Sequence, residues 1–296
     1  MRNWISAFRL RTLPLALSSI LMGNFLAFGE SAFNWTVGIF SVLTTVFLQV
    51  LSNLANDYGD TIHGADSKDR EGPSRTVQSG LITLTQMKRA IWLFTILSFL
   101  SGSMLLLFAF QNQWHMVVSF LLLGLAAIYA AITYTAGKNP YGYVGLGDIS
   151  VFLFFGLVGV MGSYFLQTKN IDWVIILPAI SCGMFATGVL NVNNIRDIDS
   201  DINAGKRSIP VRIGRKKAVV YHASLLILGW ISMFSFLITT SNSWINWLVC
   251  LTLPLFIINF RAVSTKLQVA DLDPYLKQLA ISTLFFVLLF GFSKLF

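Results

Sequence analysis

The chain has 296 residues, of which 55% are hydrophobic and only 11% charged, and its formal net charge is +8. Soluble domains carry roughly 25% charged residues, so an ordinary water-soluble globule is excluded. Apolar runs follow one another from end to end without a Pro/Gly/Ser-rich linker, which predicts one integral membrane domain over 1–296.

A spanning helix needs about 20 mainly apolar residues. In chain order the runs lie at 13–28, 35–53, 91–110, 116–134, 145–166, 173–190, 218–239, 244–260 and 279–296. The first follows Arg9 and Arg11 and lacks a small-residue cleavage site after it, so it reads as a span and not as a signal peptide. Run length argues for helices, and the alternating ten-residue pattern of a barrel strand is missing. The expected fold class is therefore all-α, a polytopic bundle of nine transmembrane helices. Trp35, Trp114, Trp173, Trp244 and Trp247 stand near span ends, where an amphipathic ring suits the interface. Cys182 and Cys250 fall within apolar runs and read as small buried hydrophobes.

Numbering the connections alternately sorts the cations. Of the 21 basic residues only Lys169 and Lys294 fall on one side. By the positive-inside bias the other side, with the N-terminus, is cytoplasmic. The same bias explains the basic charge, so no nucleic-acid partner is expected.

Two acidic clusters end apolar runs on that cytoplasmic side. After the second run come Asn53, Asn56, Asp57 and Asp60, continuing to Asp66. After the sixth come Asn193, Asn194, Arg196, Asp197, Asp199 and Asp201, continuing to Lys206 and Arg207. A carboxylate near a bilayer is costly, roughly 2.5–3.5 kcal/mol on insertion scales, and marks a functional site by default. Asp57 and Asp60 are three apart, and Asp197 and Asp201 four apart, so each pair shares a helix face. Asp199 points elsewhere. Asn53-x-x-Asn56 and Asn191-x-x-Asn194 look like a faint internal repeat. Facing carboxylates repel unless cations join them, and paired oxygen ligands suit Mg²⁺. Two Mg²⁺ ions bridging a diphosphate explain the pattern, with Arg75, Arg196, Lys206 and Arg207 as further phosphate contacts.

A third segment, Tyr134 to Asp148, carries glycines, Tyr141 and Tyr143 between the fourth and fifth spans. Asp148 enters the fifth span. Its two readings are a capping or packing acid and a group that orients an aromatic acceptor or takes its proton.

At Asn53–Asp66, 72–80, 140–148 and 193–214, and at the N-terminal Arg9-Leu10-Arg11-Thr12-Leu13-Pro14, the chain resembles the UbiA superfamily of intramembrane prenyltransferases. Pro140–Asp148 and the Asn-Asn-Ile-Arg-Asp run point to its naphthoate-prenylating branch; Ala136 and Lys138 depart from that branch's pattern. The resemblance implies nine helices around a cavity capped by cytoplasmic motif loops. It implies Mg²⁺ on Asn56, Asp57, Asp60, Asp66, Asp197 and Asp201, and diphosphate contacts from Asn53, Asn193, Asn194, Arg75, Lys206 and Arg207. It implies Tyr134, Tyr141 and Asp148 at the aromatic acceptor. The reaction would move a polyprenyl group from polyprenyl diphosphate to 1,4-dihydroxy-2-naphthoate, with loss of carbon dioxide, in a bacterial inner membrane. Donor tail and product are lipids, so the cavity would open to membrane lipid. Another aromatic acceptor such as 4-hydroxybenzoate, or a cation-coupled secondary transporter, are the alternatives.

Overall fold

A computed structural model describes residues 2–30, 32–64, 76–240 and 243–295. Among these residues nine helical stretches are long and apolar enough to cross a membrane, and there is no strand. All nine expected spans are present, most of them longer than the apolar run alone.

Helix boundaries follow local chemistry. After the short α1 (Arg2–Phe8), α2 (Leu13–Gly29) opens with Pro14, whose missing N–H falls where none is needed. α3 (Trp35–Ile62) is capped by Asn34, whose Oδ1 accepts the Thr36 backbone N–H at 2.9 Å. A reciprocal Thr83–Gln86 capping box starts α4 (Leu84–Phe110), and α5 (Trp114–Thr133) returns beside it. The fifth crossing joins α6 (Gly147–Val151), a π-helical stretch Phe152–Met161 and α7 (Gly162–Thr168). α8 (Ile176–Arg196) and the short α9 (Ile198–Asn203) follow. α10 (Ile209–Thr240) breaks at Gly214, whose φ of 76° glycine adopts without strain. α11 (Leu253–Thr265) and α12 (Val269–Ser293) complete the chain.

Lipid tails are as apolar as leucine, so helices in a bilayer associate through close packing and small residues. The main core lies between α2, the π-helical stretch, α8, α10 and α12. There Phe185, Trp230, Phe256 and Phe286 interlock with ring centroids 4.4–6.3 Å apart. The π-helical stretch approaches α8 glycine to glycine: a Cβ on Gly156 would sit 2.9 Å from Gly183 Cα and 2.8 Å from the Ala179 carbonyl. α5 packs on α3 and α4 and turns Leu122 and Tyr129 outward. Trp35, Trp114, Trp173 and Trp244 each open a helical segment and are largely exposed, as interface anchors are. Cys182 is buried and Cys250 half-buried, neither in a disulfide.

The two acidic clusters differ in backbone. α3 continues helical past Asp60 to Ile62, whereas α8 stops at Arg196 and Asp197 sits in the break before α9, with φ −96° and ψ 13°. The two asparagine pairs nevertheless both lie on a helix close to its C-terminal end, and the difference in backbone begins only at Asp197.

Gly23 on α2 faces the π-helical stretch, where a Cβ would collide with the Val160 carbonyl and Ser163 Oγ. Gly23→Ala is expected to cost about 1–3 kcal/mol and to lower the unfolding midpoint in detergent. Gly124→Ala, whose Cβ meets nothing within 4 Å, is expected to leave it unchanged or raise it.

Candidate active site

One cavity of about 480 Å³ enters the bundle between α2, α3, α4, α5, the composite fifth crossing and α8. Its wall follows α3 from Asp60 down to Ser41. At 1.5 Å per residue that is about 28 Å, close to the thickness of a bilayer's hydrocarbon core. The cavity is polar at the Asp60 end; farther in α3 adds the hydroxyls of Thr45, Thr44 and Ser41, and the other helices line it mainly with apolar side chains such as Leu106, Phe120, Val158 and Leu166.

The polar mouth is built from both acidic clusters and the tyrosine-rich turn. Asp60 Oδ1 accepts the Tyr143 hydroxyl at 2.8 Å and the Lys206 ammonium at 3.0 Å. The same ammonium lies 3.7 Å from Asp201 Oδ1 and 4.7 Å above the Tyr143 ring. Ser208 Oγ donates to Asp201 Oδ2 at 3.4 Å. Gly205, with φ 70°, turns the chain after α9 and brings Lys206 back over Asp60. Asp60 and Asp201, 141 positions apart in sequence, thus meet at one cation.

The next layer inward is amide-rich. Asn53 Nδ2 donates to Thr12 Oγ1 and to the Phe8 carbonyl, both at 2.9 Å, and Gln49 Nε2 reaches Thr12 Oγ1 at 3.1 Å. Asn56 Oδ1 accepts from Thr135 Oγ1 at 2.9 Å. Asn193, Asn194 and Asp197 face them from α8 and the break after it.

On the other wall, Tyr141 donates to the Ala130 carbonyl at 3.0 Å and pairs with Ser150 Oγ at 3.0 Å. Burial raises the Tyr141 phenol pKa, with the Ser150 contact opposing the shift. Tyr134 meets Tyr141 edge-on, with centroids 5.3 Å apart. Gly147 makes room for it, since a Cβ there would stand 2.7 Å from the Tyr134 hydroxyl. Asp148, only 4% exposed, lines the cavity and accepts the Tyr221 hydroxyl at 3.2 Å.

Three residues expected at the site are placed differently. At 100° per residue, Asp57 lies 60° from Asp60 on the side away from Asn56. Its carboxylate leaves the cavity wall and accepts from Thr76 Oγ1 at 2.6 Å, while Oδ1 is buried without a hydrogen-bond partner among the described residues. Arg196 is also off the wall, fully engaged with Asp197, Asn193 and Asp273. Arg207 is exposed; its backbone N–H, not its guanidinium, reaches the site's frame by donating to the Tyr143 carbonyl at 2.8 Å. Asp199 is exposed, as its position predicts. Asp66 and Arg75 lie outside the described residues.

Thr12, Tyr221 and Asp273 join the site without having been expected there, and Tyr143 bonds an acid of the first cluster instead of facing an acceptor. Tyr143 carried a signal, since it lies in the tyrosine-rich segment. Thr12 stands in the N-terminal stretch that carries the resemblance. Tyr221 and Asp273 carried none.

Among the described residues no three carboxylates or imidazoles converge as a ready metal cluster. The donor set nevertheless fits a hard cation: Asp60 and Asn56 on α3 with Asp197, Asn194 and Asp201 from α8 and the stretch after it, all lining the cavity. The Lys206 ammonium between two carboxylates is a stand-in for such a cation.

The chain matches the model of the UbiA prenyltransferase family over residues 16–290. It is 45% identical to a 1,4-dihydroxy-2-naphthoate octaprenyltransferase of Haemophilus influenzae, covering 100% of this chain and 96% of that one. It is 43% identical to the Escherichia coli protein of the same name, over 97% and 93% of the two chains. A UbiA homolog from Archaeoglobus fulgidus, solved bound to GPP and Mg²⁺, shares the fold with a TM-score of 0.67 at 17% identity over 99% of each chain.

Removing the stand-in cation tests this arrangement. Lys206→Met leaves Asp60 and Asp201 facing each other and is expected to destabilise the metal-free protein by about 3 kcal/mol. Millimolar Mg²⁺ is expected to restore most of the lost unfolding midpoint.

Proposed function

The chain belongs to the UbiA prenyltransferase family, and from that membership we propose that it moves a polyprenyl group from polyprenyl diphosphate to 1,4-dihydroxy-2-naphthoate. Carbon dioxide and diphosphate leave, and demethylmenaquinol, a precursor of menaquinone, is formed. The observation that carries the reading is the cavity: a carboxylate-rich mouth continuous with a mainly apolar interior, together about 28 Å long beside α3. A diphosphate head on a long isoprenoid tail has that same polarity and shape. The identity to two naphthoate octaprenyltransferases along nearly the whole chain favours naphthoate over 4-hydroxybenzoate.

Asp60, Asp197 and Asp201, with Asn56 and Asn194, would hold Mg²⁺ in this reading; Asp57, turned to Thr76 off the cavity wall, would not be among the ligands. Two ions, one for each acidic cluster, would neutralise the diphosphate charge. Bound there, Mg²⁺ neutralises the diphosphate and makes it a better leaving group. Lys206 moves from Asp60 and Asp201 onto a phosphate oxygen, adding positive charge where negative charge grows. Asn53 and Asn193 orient the head by amide contacts.

The allylic C–O bond breaks with its electron pair going to diphosphate. The ring carbon that carries the carboxylate supplies the pair for the new C–C bond. The C–CO₂ bond then breaks, its electrons restore the aromatic ring, and carbon dioxide departs. No net proton transfer is required. Asp148 accepts a hydrogen bond from a ring hydroxyl and pushes electron density towards the attacking carbon. Tyr134 and Tyr141 present ring faces that hold the acceptor flat. The apolar walls exclude water, which would otherwise trap the allylic cation.

The cation distribution supports an inner-membrane protein with the mouth on the cytoplasmic face. Lys169 and Lys294 follow helix ends opposite the mouth, at the far ends of α7 and α12.

Purified protein with Mg²⁺ and a polyprenyl diphosphate should prenylate dihydroxynaphthoate and release carbon dioxide, both followed by mass. Asp60→Ala and Asp201→Ala are expected to lower kcat at least about 100-fold, and chelation of Mg²⁺ to abolish turnover. Product from 4-hydroxybenzoate alone would refute the acceptor.

Asp148→Asn separates acceptor chemistry from donor binding. It is expected to lower kcat about 100-fold with the donor KM unchanged. A rise in donor KM with kcat intact would remove Asp148 from the acceptor.

A further inference from the structure

Arg196 ties the second acidic cluster to the last helix of the bundle. Its guanidinium is buried, with a side-chain exposure of 2%. Nε and Nη2 fork onto Asp197 Oδ1 and Oδ2 at 2.7 and 2.8 Å. Nη2 also donates to Asn193 Oδ1 at 2.9 Å, and Nη1 donates to Asp273 Oδ1 at 2.5 Å. Asp273, in the first turns of α12, in turn accepts Arg11 Nη1 at 3.0 Å on Oδ2 and 3.3 Å on Oδ1. Asp273 does not line the cavity.

The charges in this chain compete. A buried guanidinium does not shed its proton, so it demands an anion. Asp197 and Asp273 supply that demand jointly. Were Asp273 neutral, Asp197 would be the one carboxylate left on Arg196 among the described residues. It would be held harder, and its oxygens would be less available to another cation. Arg11 sets the balance from the other side by drawing on the same Asp273 carboxylate.

We propose that Asp273 is a positioning residue for the cation–diphosphate site: by sharing the charge of Arg196 it fixes Asp197 while leaving it free to bind a divalent cation. The proposal rests on the function proposed above. Groups that hold a metal ligand in place typically contribute 10–100-fold to metal affinity, and Asp273 does so from a different helix, through one arginine.

The test uses full-length protein in detergent and two readouts. One is the rise in unfolding temperature with Mg²⁺ in the presence of inorganic pyrophosphate, which needs no turnover. The other is the Mg²⁺ concentration that half-saturates prenyl transfer. Asp273→Asn is expected to raise the half-saturating Mg²⁺ about 10-fold in both. Asp271→Asn, two residues earlier and exposed, is expected to leave both unchanged. Arg11→Gln releases Asp273 wholly to Arg196 and is expected to lower the half-saturating Mg²⁺; it decides the matter if Asp273→Asn does not fold. An unchanged Mg²⁺ midpoint in whichever variant folds, even with a lower unfolding temperature, overturns the proposal. Wild type that is stabilised by Mg²⁺ and pyrophosphate but does not prenylate naphthoate refutes the acceptor and leaves the Asp273 test standing. Wild type that is not stabilised refutes the metal reading and the proposal with it.

Discussion

The structure depends on keeping carboxylates charged inside an apolar bundle. A carboxylate taken out of water loses several kcal/mol of solvation unless a cation and hydrogen bonds replace it. Each buried acid has partners within the protein. Asp60 has Lys206 and the Tyr143 hydroxyl, Asp197 has the Arg196 fork, Asp57 has Thr76, and Asp148 has Tyr221. Lys206 is the economical element, because one ammonium serves Asp60 and Asp201 together and closes the ring of helices at the mouth.

The bilayer imposes the second constraint, that backbone polar groups be satisfied within the protein. Irregular backbone is gathered accordingly. The turn around Tyr141–Val144 and the stretch after α9 both lie at the mouth, and they brace each other through the Arg207 N–H and the Tyr143 carbonyl. One departure from α-helix within a span is the π-helical stretch Phe152–Met161, which stays hydrogen-bonded while presenting Gly156 and Gly159 to α8 and α2. Such stretches recur at functional sites, and this one forms a wall of the cavity.

Distant parts of the chain meet at the polar layer. Thr12, before the first crossing, carries the hydrogen bonds that orient Asn53 and Gln49. Arg11 and Arg196, from distant parts of the sequence, join at Asp273. The site is therefore a product of the closed ring of helices and not of two motif helices alone.

The spans were legible in sequence, because a transmembrane helix must be apolar along about 20 residues and composition alone reveals that. The acidic clusters were legible too, since a charged group beside an apolar run is rare and costly. What composition does not carry is the direction of each side chain. Asp57 and Asp60, three apart, appeared to share a face, yet the cavity lies on the Asn56 side of α3 and divides them. Arg196 stood among the acids like a phosphate ligand, but its partners are fixed by α12, 77 positions away. Tyr221 and Asp273 carry no local pattern, because their partners lie 73 and 77 positions off and only helix packing brings them near. Sequence by itself determined how many times the chain crosses and where its acids cluster. Tertiary structure alone decided which acids face the cavity and which cation each one shares, since electrostatic pairing acts through space over a few ångströms and sequence spacing does not measure that distance.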